Sequence, residues 1–239
     1  MNRKRLFRYA FGKSIPVMMG YLFLGVAFGI LLTKEAGLDW YWATVMSLTI
    51  YAGSLQFVLT PLIAAHTPLG TVALMSLLVN SRHLFYGLSF IDTYGEMGAR
   101  RPYMIFSLTD ETYSVLCSCK NDEEYRASDH EACFYLSALD HFYWVLGSTV
   151  GALLGEPLTL DTTGIDFSMT ALFVVILTDQ LRFGDRDARV CGALGLAVAL
   201  VLLFALGADR FLVPALSGAV AALVAYDLLL RRRGAASNG

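Results

Sequence analysis

The sequence predicts an all-α, polytopic membrane protein with seven or eight transmembrane helices, some of them broken. Apolar residues make up 56% of the 239 residues and charged residues only 16%, against roughly 45–50% and about 25% in a soluble domain. The mean hydropathy is +0.56, and a membrane span needs about 20 mostly apolar residues. The chain therefore has room for a single integral-membrane domain over 1–239 and for no second, soluble domain.

Eight apolar stretches follow one another along the chain. None has the charged face of a surface helix, so each is predicted to be a span or a buried half-span. They lie at 14–33, 40–64, 68–90, 102–118, 132–155, 166–181, 189–207 and 211–230. The first stretch exceeds the length of a signal-peptide core and no A-x-A cleavage site precedes the second, so it is predicted to be retained.

Lysine and arginine in the short loops predict the orientation. The N-terminal segment 1–13, the loop 182–189 and the polar tail 231–239 are basic, whereas the loop 156–166 has neither residue type. Eight crossings therefore place both termini in the cytoplasm. The same count puts Arg100 and Arg101 outside and the acidic loop 120–131 inside. Seven crossings, with one of stretches two to four re-entrant or broken, remain the alternative.

The first polar group inside an apolar stretch lies midway along stretch two. It contains Gly53, Ser54, Gln56 and Phe57 and is followed by Pro61. Small residues ahead of a proline can unwind a helix, and the freed N–H groups suit a carboxylate. We expect Gln56 to orient the substrate and Phe57 to contact its apolar part. The alternative is a helix packing face with a proline kink.

The second group lies in stretch three and contains Asn80, Arg82, His83 and Tyr86. Polar and charged residues in an apolar run usually face a cavity, a partner or a substrate path, because their insertion into the membrane is costly. The Arg82 guanidinium matches a carboxylate in a bidentate fashion, and Tyr86 shares its helical face. We expect Arg82 to meet the substrate carboxylate. The alternatives are an arginine that snorkels to headgroups and a structural histidine.

The third group is the adjacent carboxylate pair Asp110 and Glu111 in stretch four. Glu111 falls on a serine stripe at helical spacing with Ser107, Ser114 and Ser118. Burial favours a protonated carboxyl and a nearby Arg82 favours an ionised one, so the pair suits proton exchange. We expect Glu111 to carry the proton and Asp110 to partner Arg82. The alternative is an ion pair that only joins helices.

Two fainter polar sets lie near the ends of stretches and are therefore predicted to be interface anchors, with a functional role as the alternative. Asp140, His141 and Trp144 belong to stretch five, and Asp179 and Gln180 end stretch six.

The segments Gly25–Gly29 and Gly147–Gly151 resemble each other. They are either traces of an internal repeat, as in many transporters, or two packing faces of small residues.

Several functional classes have no support in the sequence. The net charge is −2 and no basic stripe with aromatic residues occurs, so nucleic-acid binding is set aside. The four cysteines make no zinc pattern with histidines, and no metal or cofactor is expected. No HExxH or GxSxG motif indicates an intramembrane enzyme, and no phosphate-binding Gly-rich loop indicates an ATPase. Buried cationic, anionic and amide groups instead suit a zwitterion with an apolar tail.

The chain resembles the AzlC family of bacterial branched-chain amino-acid exporters over nearly its whole length. The likeness rests on Ile15-Pro16, Ala52-Gly53-Ser54 with Gln56-Phe57, Asn80 with Arg82-His83 and Tyr86-Gly87, Thr109-Asp110-Glu111, and 172–180 after Asp166-Phe167. Ser81 and Leu55 depart from the family pattern, in which leucine and alanine are more usual. Neither change removes a polar group, so the departures bear on substrate size.

The resemblance implies a multi-pass inner-membrane large subunit that works with a separate small membrane subunit of the AzlD family. It implies secondary export of leucine, isoleucine and valine, and by extension methionine, with coupling to protons as our own expectation from Glu111. The rival interpretations are a channel and an accessory membrane protein that is inactive alone.

Overall fold

The computed structural model describes residues 3–88, 90–119, 122–126, 129–155, 186–207 and 211–237, with isolated positions between 155 and 186. Regular structure in these residues is helical, which confirms the predicted all-α class. Two of the described helices are long and apolar enough to cross a membrane, and they lie at Arg3–Glu35 and Arg189–Leu206. Seven or eight crossings are therefore not confirmed.

The chain divides into two compact units, residues 1–169 and 170–239. The helices of the first unit are α1 (Arg3–Glu35), α2 (Trp40–Thr49), α3 (Gly53–Ala64), α4 (Leu69–Leu88), α5 (Ile91–Gly95), α6 (Arg101–Phe106), α7 (Asp110–Cys119), α8 (Glu123–Arg126) and α9 (Asp129–Gly155), with a 3₁₀ turn at Gly98–Arg100. We call the start of α1 the basic end of this unit and the end of α1, at Glu35, its far end.

Helices α1 and α9 lie side by side and run in the same direction. Their contacts advance together, from the rings of Phe7 and Tyr135 to the backbones of Gly29 and Gly151 with their neighbours. The two resembling glycine segments therefore face each other, so close that a Cβ on Gly29 would collide with the α9 backbone. This contact confirms the packing role of the small residues, which let helices approach closely.

Helices α2 and α3 form a first helical hairpin that enters from the far end and returns to it. Helix α2 runs antiparallel to α9, from the far end toward the middle. Thr44 bonds Thr149, and the Ser47 carbonyl, further along α2, accepts from His141, which comes earlier on α9. Helix α3 runs parallel to α1, back toward the far end. Tyr51, just before α3, contacts Tyr21, and Phe57 within α3 lies 5.8 Å from the Phe28 ring. Stretch two is thus broken near its middle, as the small residues before Pro61 predict.

Helices α6 and α7 form a second helical hairpin, which enters from the basic end and returns to it. Helix α6 ascends α9, since the Tyr103 ring contacts Phe134 and the Phe106 ring contacts His141. Helix α7 begins beside the middle of α9, where Thr112 bonds Asp140, and it ends in a core cluster at the basic end. Stretch four is therefore a pair of half-helices.

Both ends of the second hairpin lie at the basic end. The Arg100 guanidinium covers the Phe134 ring at 4.7 Å. The Asp122 Oδ2 binds the Lys13 ammonium at 2.8 Å and accepts from the Tyr9 hydroxyl at 2.7 Å. These two partners hold the pKa of Asp122 below its usual value, with the Lys13 contact the larger cause. The expectation that Arg100 lies on the opposite side from the acidic loop is wrong, because stretch four doubles back.

Helix α4 connects the two ends. Val72 near its start packs against the core cluster around Phe28 and Trp144, whereas Phe90, just beyond its end, belongs to the cluster around Leu6. Only α1, α4 and α9 run the full length between the two ends among the described helices of this unit.

The second unit contains α10 (Arg186–Leu206) and α11 (Leu212–Ser237), which pack against each other. Gly207 ends α10 with a positive φ of 76°, a conformation that favours glycine. Gly218 lies against the Val198 and Leu202 side chains, so the two helices are antiparallel.

Large apolar side chains cover the outer surfaces of both units. Phe23 on α1, Leu77 on α4 and Phe204 on α10 expose 69%, 65% and 86% of their surface. Exposed apolar side chains of this size on helical surfaces suit contact with lipid.

The close α1–α9 contact predicts opposite effects for two glycine substitutions on one helix. Gly29→Ala places a methyl group on the α9 backbone, which cannot move aside, and should destabilise the protein by about 1–3 kcal/mol. Gly20→Ala meets no atom within 4 Å and should stabilise α1 by about 0.5–1 kcal/mol. Thermal unfolding in detergent measures both, and equal effects would contradict the packing.

Candidate functional site

The tips of the two hairpins meet near the middle of the first unit. Tyr51, between α2 and α3, is buried and lies 6.0 Å from the Phe106 ring at the end of α6. Its ring also lies 4.2 Å from His141 on α9. Tyr51 has a φ of 43°, which is rare for a bulky residue, and such strain occurs most often at functional sites.

A buried polar cluster joins the first hairpin to α9. Gln56 is fully buried; its Nε2 donates to Ser47 Oγ at 3.1 Å, and its Oε1 accepts from Trp144 Nε1 at 2.8 Å. Ser47 and Ser148 share a hydrogen bond of 2.7 Å. Gly53 lies against the Trp144 ring, where an added Cβ would approach to 3.0 Å. A larger residue at position 53 would therefore press on this cluster.

A second polar cluster joins the second hairpin to α1 and α9. The Tyr21 hydroxyl lies 2.6 Å from Thr109 Oγ1 and 2.9 Å from Glu111 Oε2. Thr109 is 3.1 Å from Thr112, which is 3.0 Å from Asp140 Oδ2. Thr109 also accepts from the Thr112 backbone N–H, so it caps the start of α7.

The structure brings two of the three predicted groups together. Gly53, Ser54, Gln56 and Phe57 form the first turns of α3, and Asp110 and Glu111 form the first turn of α7. Tyr21 contacts both hairpins, because its ring lies 6.4 Å from Tyr51 and its hydroxyl reaches Glu111. The meeting point therefore contains two helix N-termini with different charges. The first turn of α7 is acidic, whereas that of α3 carries no acid.

The predicted group of stretch three lies in the second half of α4. Asn80 has a buried Oδ1 with no hydrogen-bond partner in the described part of the chain, and His83 is partly buried. The side chains of Arg82 and Tyr86 lie outside the described structure, so their expected contacts stay predictions.

The polar residues of α9 are buried in the unit, which the sequence analysis did not expect. Asp140 is fully buried and Trp144 is 2% exposed, so their assignment as interface anchors is wrong. They lie near the middle of α9 because it extends from 129 to 155. An aspartate in a run of this length is itself a signal of a functional position. Asp179 and Gln180 lie outside the described residues.

The prediction that the serines of stretch four share one helical face with Glu111 is also wrong. Ser107 precedes α7 and is buried, whereas Ser114 and Ser118 are exposed on that helix. The stretch contains two half-helices, so helical spacing does not extend across Ser107.

No group of three metal-ligating side chains occurs among the described residues. The four cysteines are free. The expected absence of a metal and a cofactor stays a prediction.

Comparison with known proteins gives one consistent family. The AzlC protein family model matches residues 16–158. A branched-chain amino acid transport protein AzlC of Bacillus subtilis is 37% identical over 88% of this chain and 81% of its own length. An uncharacterized membrane protein of Helicobacter pylori is 38% identical over 93% of this chain and 95% of its own. The inner membrane protein YgaZ of Escherichia coli is 27% identical over 81% of this chain and 80% of its own length. No solved structure matches significantly.

The Gln56 cluster predicts a specific loss of stability on substitution. Gln56→Leu leaves the buried Trp144 indole N–H without its acceptor and should destabilise the protein by about 1–3 kcal/mol. Thr49→Val removes an exposed hydroxyl that bonds only within its own helix, and it should change stability by less than about 0.5 kcal/mol. Thermal unfolding of both variants tests this. An equal, small effect would show that the Gln56 amide is not structural.

Proposed function

The chain belongs to the AzlC family, and from that premise we propose that it is the large subunit of a secondary transporter for branched-chain amino acids. Its substrates are leucine, isoleucine and valine, with methionine as a further candidate. The direction is export across the bacterial inner membrane, driven by protons. The B. subtilis relative, a branched-chain amino acid transport protein by name, supports this substrate class.

The meeting of the two hairpin tips carries the proposal. Irregular backbone at membrane depth is tolerated where it is buried in protein or lines a cavity. In several transporters the half-helix ends point at the substrate near the bilayer midplane. Here the breaks at 50–52 and 107–109 meet near the middle of the unit, on two hairpins that enter from opposite ends. This arrangement suits a site that opens to one side at a time when either hairpin moves.

The two helix N-termini suit the two charges of an amino acid. The start of α3 has a partial positive charge and no acid of its own, so Gly53 and Ser54 suit the substrate carboxylate. We assign the Arg82 guanidinium to the same carboxylate. The acidic start of α7, with Asp110 and Glu111, suits the substrate ammonium.

The remaining predicted residues are assigned to recognition of the rest of the substrate. Gln56 orients the zwitterion when the hairpins open, and Phe57 contacts the aliphatic tail. Asn80, His83 and Tyr86 complete the site from α4, and the unpartnered Asn80 Oδ1 supports this assignment. An apolar pocket discriminates by about 1–3 kcal/mol per methylene group, so selectivity among the three substrates is expected to be modest.

Proton coupling is assigned first to Glu111, with Asp110 as the partner of Arg82. A group balanced between burial and a nearby cation can load and release a proton. The Tyr21 hydroxyl at 2.9 Å from Glu111 gives this carboxyl a hydrogen-bonded neighbour that can relay one.

We further propose that the chain works with a small membrane subunit of the AzlD family. Both termini are assigned to the cytoplasm. That assignment follows from the basic segments 1–13 and 231–239 and applies if the chain crosses eight times.

Transport in proteoliposomes tests the proposed function. Counterflow of labelled leucine at equal pH should be saturable, and Arg82→Lys should reduce it by about tenfold or more, because the ammonium keeps the charge but loses the bidentate fork. Arg100→Lys is the matched control, since Arg100 lies at the basic end. Full counterflow by Arg82→Lys with intact folding would refute the carboxylate assignment. Flux that rises linearly with leucine concentration would favour a channel.

A further inference from the structure

We propose that Asp140 and Glu111 share one exchangeable proton, which moves between them along the hydroxyls of Tyr21, Thr109 and Thr112. The inference rests on the proposed function, because it deepens the assignment of the proton site. Asp140, which was predicted to be an interface anchor, becomes the second carboxyl of the proton site, and the three hydroxyls give the proton a path.

The five side chains form one continuous hydrogen-bonded chain. Its four links measure 2.9 Å from Glu111 to Tyr21, 2.6 Å from Tyr21 to Thr109, 3.1 Å from Thr109 to Thr112 and 3.0 Å from Thr112 to Asp140. All four lengths fall within the range of protein hydrogen bonds or close to it.

The number of protons on these five side chains determines whether all four hydrogen bonds can form. The three hydroxyls supply one proton each, and an ionised carboxylate supplies none. Two ionised carboxylates would therefore leave one of the four links without a proton. One additional proton, on either carboxyl, completes all four.

The additional proton can move without any change in the heavy atoms. When Glu111 carries it, Glu111 donates to Tyr21, Tyr21 to Thr109, Thr109 to Thr112, and Thr112 to the Asp140 carboxylate. When each hydroxyl passes its proton one link onward, Glu111 becomes ionised and Asp140 becomes the acid. One proton is lost at Glu111 Oε2 and one is gained at Asp140 Oδ2, so the transfer balances.

Burial around Asp140 supports the shared proton. Asp140 is 0% exposed, and its second oxygen, Oδ1, has no hydrogen-bond partner in the described chain. An ionised carboxylate with one unpartnered oxygen is costly in such a place, and a proton removes the charge. Other titratable side chains lie near these five hydrogen-bonded residues. They are Tyr51 between the helices of the first hairpin, Tyr103 on α6, Asp110 on α7 and His141 on α9.

The row of hydrogen bonds also connects proton transfer to movement of the second hairpin. Tyr21 and Asp140 lie on the full-length helices α1 and α9, whereas Thr109, Glu111 and Thr112 belong to the hairpin. Every link except the one between Thr109 and Thr112 crosses from the hairpin to α1 or α9. A displacement of the hairpin therefore interrupts the path, so that the proton is held on one carboxyl.

Infrared spectroscopy of the full chain in nanodiscs tests the shared proton without substrate. A deuterium-sensitive C=O band of a protonated carboxyl should be present, and it should change in Asp140→Asn, Glu111→Gln and Thr112→Val. Thr149→Val is the matched control, because its hydroxyl bonds Thr44 and no member of the proton path among the described residues, and it should leave the band unchanged. The absence of the band, or a band that neither Glu111→Gln nor Thr112→Val alters, would overturn the proposal.

Transport provides the second measurement. Thr112→Val keeps both carboxyls but removes the relay, so leucine flux driven by a pH gradient should fall about a hundredfold while counterflow at equal pH stays within about twofold. Thr112→Ser should restore the driven flux. Unchanged driven flux, or loss of both modes without rescue by serine, would overturn the relay. If the wild type carries no leucine, the proposed function fails, and the infrared result still decides the shared proton.

Discussion

The backbone contact between α1 and α9 is the constraint on which the first unit depends. Gly25, Gly29, Gly147 and Gly151 remove the side chains that would separate the two helices. Because these helices run parallel, an odd number of full-length passages must connect them. Helix α4 is one such passage, and stretches two and four instead enter and leave at the same end, as their contacts with α1 and α9 show.

Breaking two helices inside an apolar unit requires polar partners for the freed backbone and side-chain groups, since unsatisfied groups there are costly. The structure supplies them from the full-length helices and from the tips themselves. Thr109 caps α7, Tyr21 reaches the second tip, and Trp144 with Ser47 satisfies Gln56. The same polar residues that make the breaks tolerable thus form the candidate site and the proposed proton path.

The sequence predicts the local features of this architecture better than its long-range ones. The break before Gly53 was expected from the small residues 52–54, whose effect on the backbone is local, whereas Pro61 lies inside α3, more than two turns beyond the break. The charges of Arg100, Arg101 and the loop 120–131 indicated that one of stretches two to four is re-entrant or broken. They could not show that stretch four doubles back, because two half-helices and one span have the same length and hydropathy. The burial of Asp140 was missed for another reason. The predicted stretch 132–155 nearly coincides with α9, but hydropathy does not show which residues of a span pack against other helices.

Cross-linking of the hairpin tips tests the central claim most directly. In a variant without the four native cysteines, Tyr51→Cys and Phe106→Cys should be joined by a short, cleavable reagent with two thiol-reactive groups, because the two rings lie 6.0 Å apart. If the hairpin tips meet, cross-linking in membranes should be efficient, and leucine counterflow should be lost and should return on cleavage. A control pair at opposite ends, Trp40→Cys with Arg100→Cys, should not react. Failure of the tip pair to cross-link under conditions that label each cysteine singly would contradict the opposed hairpins.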